Sequence, residues 1–253
     1  MKQPAVEIRD LTVELGGRKV LKNISLDIQK NSVTALIGPN GAGKTTLFKA
    51  MLGLVEYTGR VKFCRNGNSK ARIGYIPQNI DIEKENPIRL VDFLLLTEQR
   101  VPMWIRPLPS RRKKALEAME RVGVAKLSRQ PIGKLSGGEL QRSMLAKVIL
   151  SRPDVVLMDE PVSGIDVTGG ELFCELLEDL KKEHRFTLVL TSHDLSVVSN
   201  HATEVLCINR TLKCEGPPVE VLTPDTLQEL YGPHTGLVRH HDHYKNGRHS
   251  ARL

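Results

Sequence analysis

The sequence lacks any long hydrophobic run. Its longest apolar stretches, such as 93–96 and 155–158, are only four residues long, whereas a bilayer-spanning helix needs roughly 18 to 20. The N-terminal residues lead directly into an alternating strand pattern, without the apolar stretch and small-residue cleavage site of a secretory signal. These absences argue against a membrane-spanning or secreted chain, and we expect the protein to stay in the cytoplasm.

Cysteine is scarce as well, with four residues in 253 and no Cys-x-x-Cys pair. That is not the dense set that staples a small secreted fold, and we expect Cys64, Cys174, Cys207 and Cys214 to be buried reduced thiols. The 40% hydrophobic content argues against wholesale disorder. The length allows one large domain or two small ones with an ordinary hydrophobic core.

The charge balance is positive, with 37 Lys and Arg against 29 Asp and Glu, a net +8. Six of these basic residues and no acidic one lie between positions 100 and 114. A positive excess is compatible with nucleic acid, an anionic lipid surface or a polyphosphate ligand, and composition alone does not choose among them. A solvated helix face explains the basic run at least as well as a binding patch does.

The hydrophobic pattern predicts an α/β fold with an inserted helical part. Alternation at 6–9, 11–15 and 20–28 predicts a β-rich opening, and 33–37 has the pattern of a strand buried on both faces. The segments 155–158 and 186–191 are further buried strands next to helical segments, as in a parallel sheet. Positions 88–150 are almost entirely helix-periodic, which predicts a helical subdomain at roughly 85–150.

A glycine-rich segment follows the strand predicted at 33–37 and precedes a helical pattern. It has the phosphate-loop spacing of glycine, four residues, glycine, lysine and threonine. Glycines let backbone N–H groups surround phosphate oxygens at a helix N-terminus, Lys44 supplies a cation for the β- and γ-phosphates, and Thr45 can ligate Mg²⁺. The predicted nucleotide-binding residues are Gly38, Pro39, Asn40, Gly41, Ala42, Gly43, Lys44, Thr45 and Thr46.

The strand predicted at 155–158 ends in two carboxylates, Asp159 and Glu160. Charge in that place is costly unless a cation lies nearby, and beside a phosphate loop the natural cation is Mg²⁺. We expect Asp159 to hold the metal, usually through water, and Glu160 to polarise the water that attacks the γ-phosphate. Without the phosphate loop, a strand-end turn or a capping carboxylate would explain the pair equally well.

A second candidate phosphate site begins the helix that follows Leu135. Ser136 and Glu139 have the spacing of an ordinary capping box. A cap does not need Gly137 and Gly138, however, and each glycine costs a helix about 1 kcal/mol relative to alanine. Because glycines allow a backbone to approach an anion closely, the segment predicts a second phosphate-binding helix end, with the capping box as the alternative.

In this order and spacing, these motifs together with Thr191-Ser192-His193-Asp194 resemble the ATP-binding subunit of an ABC transporter over residues 6–231. The resemblance implies a P-loop NTPase (RecA-like) core with an N-terminal antiparallel β region and the inserted α-helical subdomain. It also implies ATP hydrolysis, ATP and Mg²⁺ as cofactors, and a head-to-tail homodimer.

The resemblance further assigns roles to individual residues. The catalytic residues are Glu160, the switch histidine His193 and the glutamine-loop residue Gln78, and Mg²⁺ is held through Thr45, Gln78 and Asp159. The signature residues that contact ATP on the partner chain are Ser136, Gly137, Gly138 and Glu139, and Asp166 belongs to the loop across the dimer interface. The family usually stacks adenine on an aromatic residue near position 15, where this chain has Leu15.

The segments 74–78, 86–88 with 91–92, and 205–209 look similar to importers of divalent transition metals, the zinc importers most closely. That resemblance implies a membrane permease docked on the helical region, an extracytoplasmic metal-binding protein, and a peripheral location on the cytoplasmic face of the inner or plasma membrane, with no nucleic acid. Five of the eight histidines lie in residues 232–253, which we expect to form a flexible tail. There His240, His241 and His243 can gather around Zn²⁺, although a bland polar tail explains them equally well.

Three alternatives stay open. The first is a soluble ABC-type ATPase that acts on nucleic acid or ribosomes, although such proteins usually carry two nucleotide domains or a long coiled-coil insertion. The second is an importer ATPase for manganese or iron. The third is a regulatory nucleotide-binding module without turnover, against which Glu160 speaks, because a site that only binds has no need of a carboxylate after Asp159.

Overall fold

A computed structural model describes residues 3–65, 70–96, 109–163 and 165–232. The histidines of the tail lie outside these residues, and so do Arg100 and Arg106 of the 100–114 basic run, whereas its other four basic residues are described. The described strands are β1 (Pro4–Leu15), β2 (Arg18–Gln29), β3 (Val33–Ile37), β4 (Thr58–Phe63), β5 (Ile73–Ile76), β6 (Val155–Met158), β7 (Thr187–Thr191), β8 (Glu204–Asn209) and β9 (Thr211–Gly216). The described helices are α1 (Lys44–Met51), α2 (Leu90–Leu96), α3 (Pro109–Arg121), α4 (Gly137–Leu150), α5 (Val167–His184), α6 (Leu195–His201), α7 (Pro218–Val221) and α8 (Pro224–Tyr231).

The opening of the chain forms a small antiparallel sheet with the strand order β2-β1-β4. The two alternating runs at 6–9 and 11–15 are parts of one strand, β1, whose register shifts between Ile8 and Leu11. Asp10 lies in that irregular stretch with a left-handed φ of 52°, and an extra residue of this kind is what a β-bulge inserts into a strand. The predicted N-terminal antiparallel β region is confirmed.

The main sheet has six strands in the order β5-β6-β7-β3-β8-β9. The first five are parallel, and β9 closes the edge as an antiparallel hairpin with β8. Every residue of β3, β6 and β7 is buried, as expected for strands covered on both faces. In such a sheet, ligands bind beyond the carboxyl ends of the strands.

Side chains of the parallel strands alternate between two hydrophobic clusters, one on each face of the sheet. Leu157 of β6 packs with Phe48 of α1 and with residues of β1 and β2. The next residue, Met158, belongs to the other cluster, together with Leu94 of α2 and Leu145 of α4. The antiparallel sheet and α1 therefore cover one face, and helices α2 to α8 cover the other.

The helical region contains α2, α3 and α4, and two single 3-10 turns, at Ala125–Leu127 and Ile132–Lys134, lie between α3 and α4. Pro131 precedes the second turn and forms an isolated bridge with Arg89, so the chain is not helical throughout 88–150. The bounds 85–150 for a subdomain, 1–231 for the nucleotide-binding domain and 232–253 for the tail stay predictions. Within the described ranges, no helix combines the length and apolar character that crossing a bilayer requires.

The expectation of four reduced thiols is wrong for one pair. Cys64 and Cys174 are free and buried, but Cys207 and Cys214 form a disulfide. The two residues face each other in the register of the β8–β9 hairpin, with their Cα atoms 5.0 Å apart. That separation lies within the range a disulfide requires, and the sequence spacing alone does not reveal it because it depends on the hairpin register.

Candidate functional site

The predicted phosphate loop joins β3 to α1 and folds around the side chain of Lys44. This lysine is only 7% exposed. Its Nζ donates hydrogen bonds to the carbonyl oxygens of Gly38 at 2.7 Å and Pro39 at 3.2 Å. Burial lowers the pKa of Lys44, while the carboxylates of Glu160 and Asp159 act in the opposite direction. The loop therefore holds a cation beneath its own backbone.

Glycine is required in the loop for two different reasons. Gly43 has a φ of 103°, and a Cβ there would lie 2.5 Å from Cδ2 of Leu21, so both conformation and space exclude a side chain. Gly41 also has a positive φ, 77°, but nothing lies within 4 Å of its Cβ position. The space above Gly41 is open to a ligand that approaches the backbone.

The Asp159 carboxylate lies directly beneath the loop and is 2% exposed. Thr45 Oγ1 donates to its Oδ2 at 2.6 Å, and Thr191 Oγ1 donates to its Oδ1 at 2.6 Å. The same Thr191 hydroxyl accepts a hydrogen bond from the backbone N–H of Glu160 at 2.8 Å. One buried hydroxyl at the end of β7 thus positions both residues that follow β6.

Glu160 has an unusual backbone and several side-chain partners. Its φ of 49° is left-handed, a conformation that costs a non-glycine residue about 1 to 2 kcal/mol. Gln78 Nε2 donates to Glu160 Oε2 at 2.8 Å, and His193 Nδ1 lies 3.4 Å from the same oxygen. Glu160 is largely buried, whereas the His193 side chain is 64% exposed. The ends of β5, β6 and β7 therefore converge on one carboxylate.

These groups surround a cavity of about 440 Å³, a volume within the usual range of small-molecule sites. The residues that line it are Val20, Asn40, Gly41, Ala42, Gly43, Lys44, Thr45, Thr46, Gln78 and Glu160. The structure thus brings together most of the predicted loop with two of the predicted catalytic side chains. Asp159 lies below the cavity, and His193 reaches the cavity through Glu160.

The signature residues begin α4, outside this cavity. The backbone N–H and the hydroxyl of Ser136 both donate to Glu139 Oε2 at 2.8 Å, and these hydrogen bonds lower the pKa of Glu139. The capping interaction is therefore present. It does not account for the glycines, because Gly137 is exposed and has nothing within 4 Å of its Cβ position. Packing within this chain does not require glycine at that point.

Neither the predicted interface loop nor the histidine tail contributes a described side chain to the cavity. Asp166 is exposed, is the N-cap of α5 and does not line the cavity. The neighbouring Gly164 and the histidines His240, His241 and His243 lie outside the described residues.

Sequence reasoning missed two positioning residues. Thr191 was only part of a motif, although a threonine that ends a buried strand beside Asp159 is itself a signal. Gln141, on the first turns of α4, has its Nε2 donating to the carbonyl of Pro161, which links the signature helix to the residue after Glu160. No pattern in the sequence places these two segments together.

A buried strand, a glycine-rich loop closed over a lysine, and two carboxylates at the end of another strand of the same sheet define a P-loop nucleotide-binding domain. The sequence model of the ABC transporter family matches residues 21–163, more than half of the chain. The chain belongs to the ABC transporter family.

Two named relatives agree with this assignment, and a solved structure agrees with it in fold. The chain is 39% identical over 238 residues to a zinc import ATP-binding protein ZnuC of Alcanivorax borkumensis, covering 93% of this chain and 87% of the relative. It is 36% identical to a protein of the same name from Saccharophagus degradans, over 92% of this chain and 86% of the relative. The ADP conformation of an ATP-binding cassette of an ABC transporter is similar in fold, with a TM-score of 0.77, 23% identity, and coverage of 90% and 98%.

Proposed function

We propose that the chain is the ATP-hydrolysing subunit of an ABC importer. In this proposal a head-to-tail pair of subunits couples ATP binding and hydrolysis to the uptake of a divalent metal ion, zinc, through a separate permease. The observation that carries the ATPase proposal is the Glu160 carboxylate, held by Gln78 at 2.8 Å beside the phosphate-loop cavity. Support for zinc is the 39% identity to a zinc import ATP-binding protein.

The charges of the site support Mg²⁺ as the metal that accompanies ATP. Lys44 is one cation against the two carboxylates Asp159 and Glu160, so these side chains alone repel a polyphosphate. The Thr45 hydroxyl and the Asp159 carboxylate are 2.6 Å apart, and with the Gln78 amide they are the hard oxygen ligands that Mg²⁺ prefers. When bound, the metal would neutralise phosphate charge and orient the terminal phosphate.

In the hydrolysis step, Glu160 accepts a proton from the attacking water while Lys44 and the loop N–H groups bind the phosphates. Gln78 and His193 orient the Glu160 carboxylate through the same oxygen, Oε2. Thr191 fixes the backbone from which that carboxylate projects. The His193 side chain is 64% exposed, which suits a switch residue that responds to the terminal phosphate.

The dimer supplies the rest of the site. Ser136, Gly137, Gly138 and Glu139 would contact ATP on the phosphate loop of the partner, and Asp166 would lie at the interface between the chains. The exposed backbone of Gly137, which has no contact within this chain that requires glycine, supports this arrangement. An exposed helix N-terminus attracts a phosphate oxygen through its free N–H groups and its dipole.

The transport partners follow from the same proposal. An integral membrane permease would dock on the helical region, which places the chain at the cytoplasmic face of the inner or plasma membrane. A metal-loaded extracytoplasmic binding protein would deliver the ion, and His240, His241 and His243 would sense or buffer zinc. If deletion of residues 239–253 left the zinc response of transport unchanged, the sensing role of the tail would be discarded and the ATPase role kept.

The test is ATP hydrolysis by the complex of this chain with its co-purified permease, with and without a zinc-loaded binding protein. We expect stimulation by zinc in the wild type, loss of turnover with retained ATP binding in Glu160→Gln, and normal turnover in Glu175→Gln, which changes an exposed carboxylate of α5. Turnover in Glu160→Gln equal to wild type would refute the role of this carboxylate. Glu160-dependent turnover that manganese or iron stimulates in place of zinc would refute the cargo only.

A further inference from the structure

A second cavity, of about 560 Å³, lies where the parallel strands of the main sheet begin. This end of the strands is called the amino edge, and the end that carries the phosphate loop is called the carboxyl edge. Its floor includes Asn31, which precedes β3, and Val155, the first residue of β6. Ala5 and Cys64 of the antiparallel sheet region line one side. Because the phosphate loop and the carboxylates follow the carboxyl ends of the strands, this cavity is separate from the candidate nucleotide site.

Hydrogen bonds and ion pairs fix the side of this cavity that lies next to β5 and β6. The backbone N–H of Asp154 donates to the carbonyl of Arg72 at 2.8 Å, and the N–H of Arg72 donates to the Asp154 carboxylate at 2.7 Å. Arg65 Nε lies 3.2 Å from the same carboxylate. Hydrogen bonds between Arg72 and Asp154 therefore fix this wall of the cavity, and the Asp154 carboxylate is already paired with arginine side chains.

The charge of the lining is strongly positive. It contains five lysine or arginine side chains against two carboxylates, a net charge of +3 that leaves His184 aside: Lys30, Arg65, Arg72, Arg152 and Arg185 against Asp154 and Glu183. The second carboxylate, Glu183, pairs with Arg121, which lies outside the lining. Among the residues that the structure describes, no acidic side chain forms an ion pair with Arg152 or Arg185.

These two arginines also have unfavourable backbone conformations. Arg152 follows the end of α4 with a φ of 50°, and Arg185 caps the end of α5 with a φ of 55°. Glycine or asparagine is the usual residue in the left-handed position that ends a helix. Two arginines that occupy left-handed positions around one cavity, where glycine or asparagine is usual, are typical of a functional site. A basic side chain also interacts favourably with a helix C-terminus, which is the competing explanation.

We propose that this cavity binds a phosphorylated anion through Arg152 and Arg185. A guanidinium group presents two parallel N–H donors to phosphate oxygens and keeps its charge at any physiological pH. The volume fits a small molecule, and the apolar residues Ala5, Pro153 and Val155 are among those that line the cavity. The phosphate belongs to a dissolved metabolite or to a lipid headgroup, two sources of the same chemistry.

Calorimetric titration of pyrophosphate into the Lys44→Ala chain, in EDTA, tests the proposal without the phosphate loop. We expect one binding event, weakened about tenfold or more by Arg152→Gly or Arg185→Gly, because each substitution removes hydrogen bonds to a charged group. Glycine relieves the left-handed backbone, so thermal stability should be maintained and lost binding cannot be ascribed to unfolding. The matched control is Arg210→Gly, an exposed arginine with a φ of 60° beyond the opposite edge of the sheet, which should bind as before.

The outcomes separate the explanations. The proposal is overturned if, in EDTA, pyrophosphate binds neither to the Lys44→Ala chain nor to the wild-type chain. It is also overturned if all three arginine variants bind pyrophosphate as well as their parent chain does. In a second arm, the Lys44→Ala chain is sedimented with phosphatidylglycerol vesicles. Recovery that needs Arg152 and Arg185 and that pyrophosphate displaces identifies a lipid headgroup, whereas pyrophosphate binding without vesicle recovery identifies a dissolved anion. None of these results depends on ATP turnover.

Discussion

Replacing Thr191 with valine tests how the two carboxylates of the candidate site are held. Valine has nearly the same shape as threonine but no hydroxyl, and Thr191 is fully buried. The change removes the donor to Asp159 Oδ1 and the acceptor of the Glu160 N–H at once. Asp159 keeps its second hydrogen bond, from Thr45, so the carboxylate is not left without a partner.

The expected loss of unfolding free energy follows from these two hydrogen bonds. A hydrogen bond to a charged group contributes about 1.5 to 3 kcal/mol, and an unsatisfied buried N–H costs about 1 to 3 kcal/mol. We therefore expect Thr191→Val to lower the free energy of unfolding by about 3 kcal/mol, which most domains survive. The Glu160 backbone, no longer held at its left-handed φ, should shift, and a displacement of a catalytic group costs tenfold or more in rate.

The assays are urea denaturation and ATP turnover, compared with two controls. Thr191→Ser keeps the hydroxyl and should lose only about 1 kcal/mol for the missing methyl group, with turnover close to wild type. Thr34→Val removes a buried hydroxyl on β3 that pairs with Ser32, and it should reduce stability without changing turnover. Stability within about 0.5 kcal/mol of wild type together with normal turnover in Thr191→Val would refute the reasoning.

Three further predictions concern single sites. Gly43→Ala should abolish ATP binding and lower the melting temperature, because its Cβ would lie 2.5 Å from Leu21; binding equal to wild type would contradict this. Hydrogen bonds from Ser136 lower the pKa of Glu139 below its ordinary 4.5, so the stabilisation is present above that pH and is lost as the pH falls through the folded-state pKa. Glu139→Gln should thus be less stable than wild type at pH 7, and the difference should shrink as the pH falls through the folded-state pKa, measured by urea denaturation. Leu15→Tyr should tighten ATP binding in a calorimetric titration if position 15, which is 42% exposed, contacts the base, because an aromatic ring stacks on a purine; affinity equal to wild type would contradict this.

The sequence predicted best the parts of the fold in which local pattern and burial agree. β3 and β6 coincide with the predicted runs because every residue in them is apolar or β-branched and buried on both faces. The phosphate loop was predictable because its glycines meet a local need, as Gly43 shows with its left-handed φ against Leu21. In each case the determinant lies within a few residues of chain.

Contacts between distant segments were not predictable. The disulfide between Cys207 and Cys214 depends on the register of the β8–β9 hairpin, and the role of Thr191 depends on β6 and β7 being neighbours. The cavity at the amino edge is a stronger case, since Arg152 and Arg185 are far apart in sequence and each has the character of an ordinary charged helix end. Such features follow from the order of strands in the sheet, which hydrophobic periodicity does not encode.

The phosphate loop and the cavity of Arg152 and Arg185 lie at opposite ends of the parallel strands of one sheet, and the net charges of the side chains around them have opposite signs. At the carboxyl edge, Lys44 faces Asp159 and Glu160, a net charge of −1, so phosphate binding there must draw on backbone N–H groups and a metal ion. At the amino edge, the lining carries a net +3 and needs no metal. Binding of pyrophosphate to the wild-type chain should therefore show two events with Mg²⁺ present and one in EDTA, and the event that remains should be the one that Arg152→Gly and Arg185→Gly weaken. If EDTA removed all binding, the prediction of a metal-independent phosphate site at the amino edge would be wrong. If one event remained in EDTA and only Lys44→Ala abolished it, that event would belong to the phosphate loop.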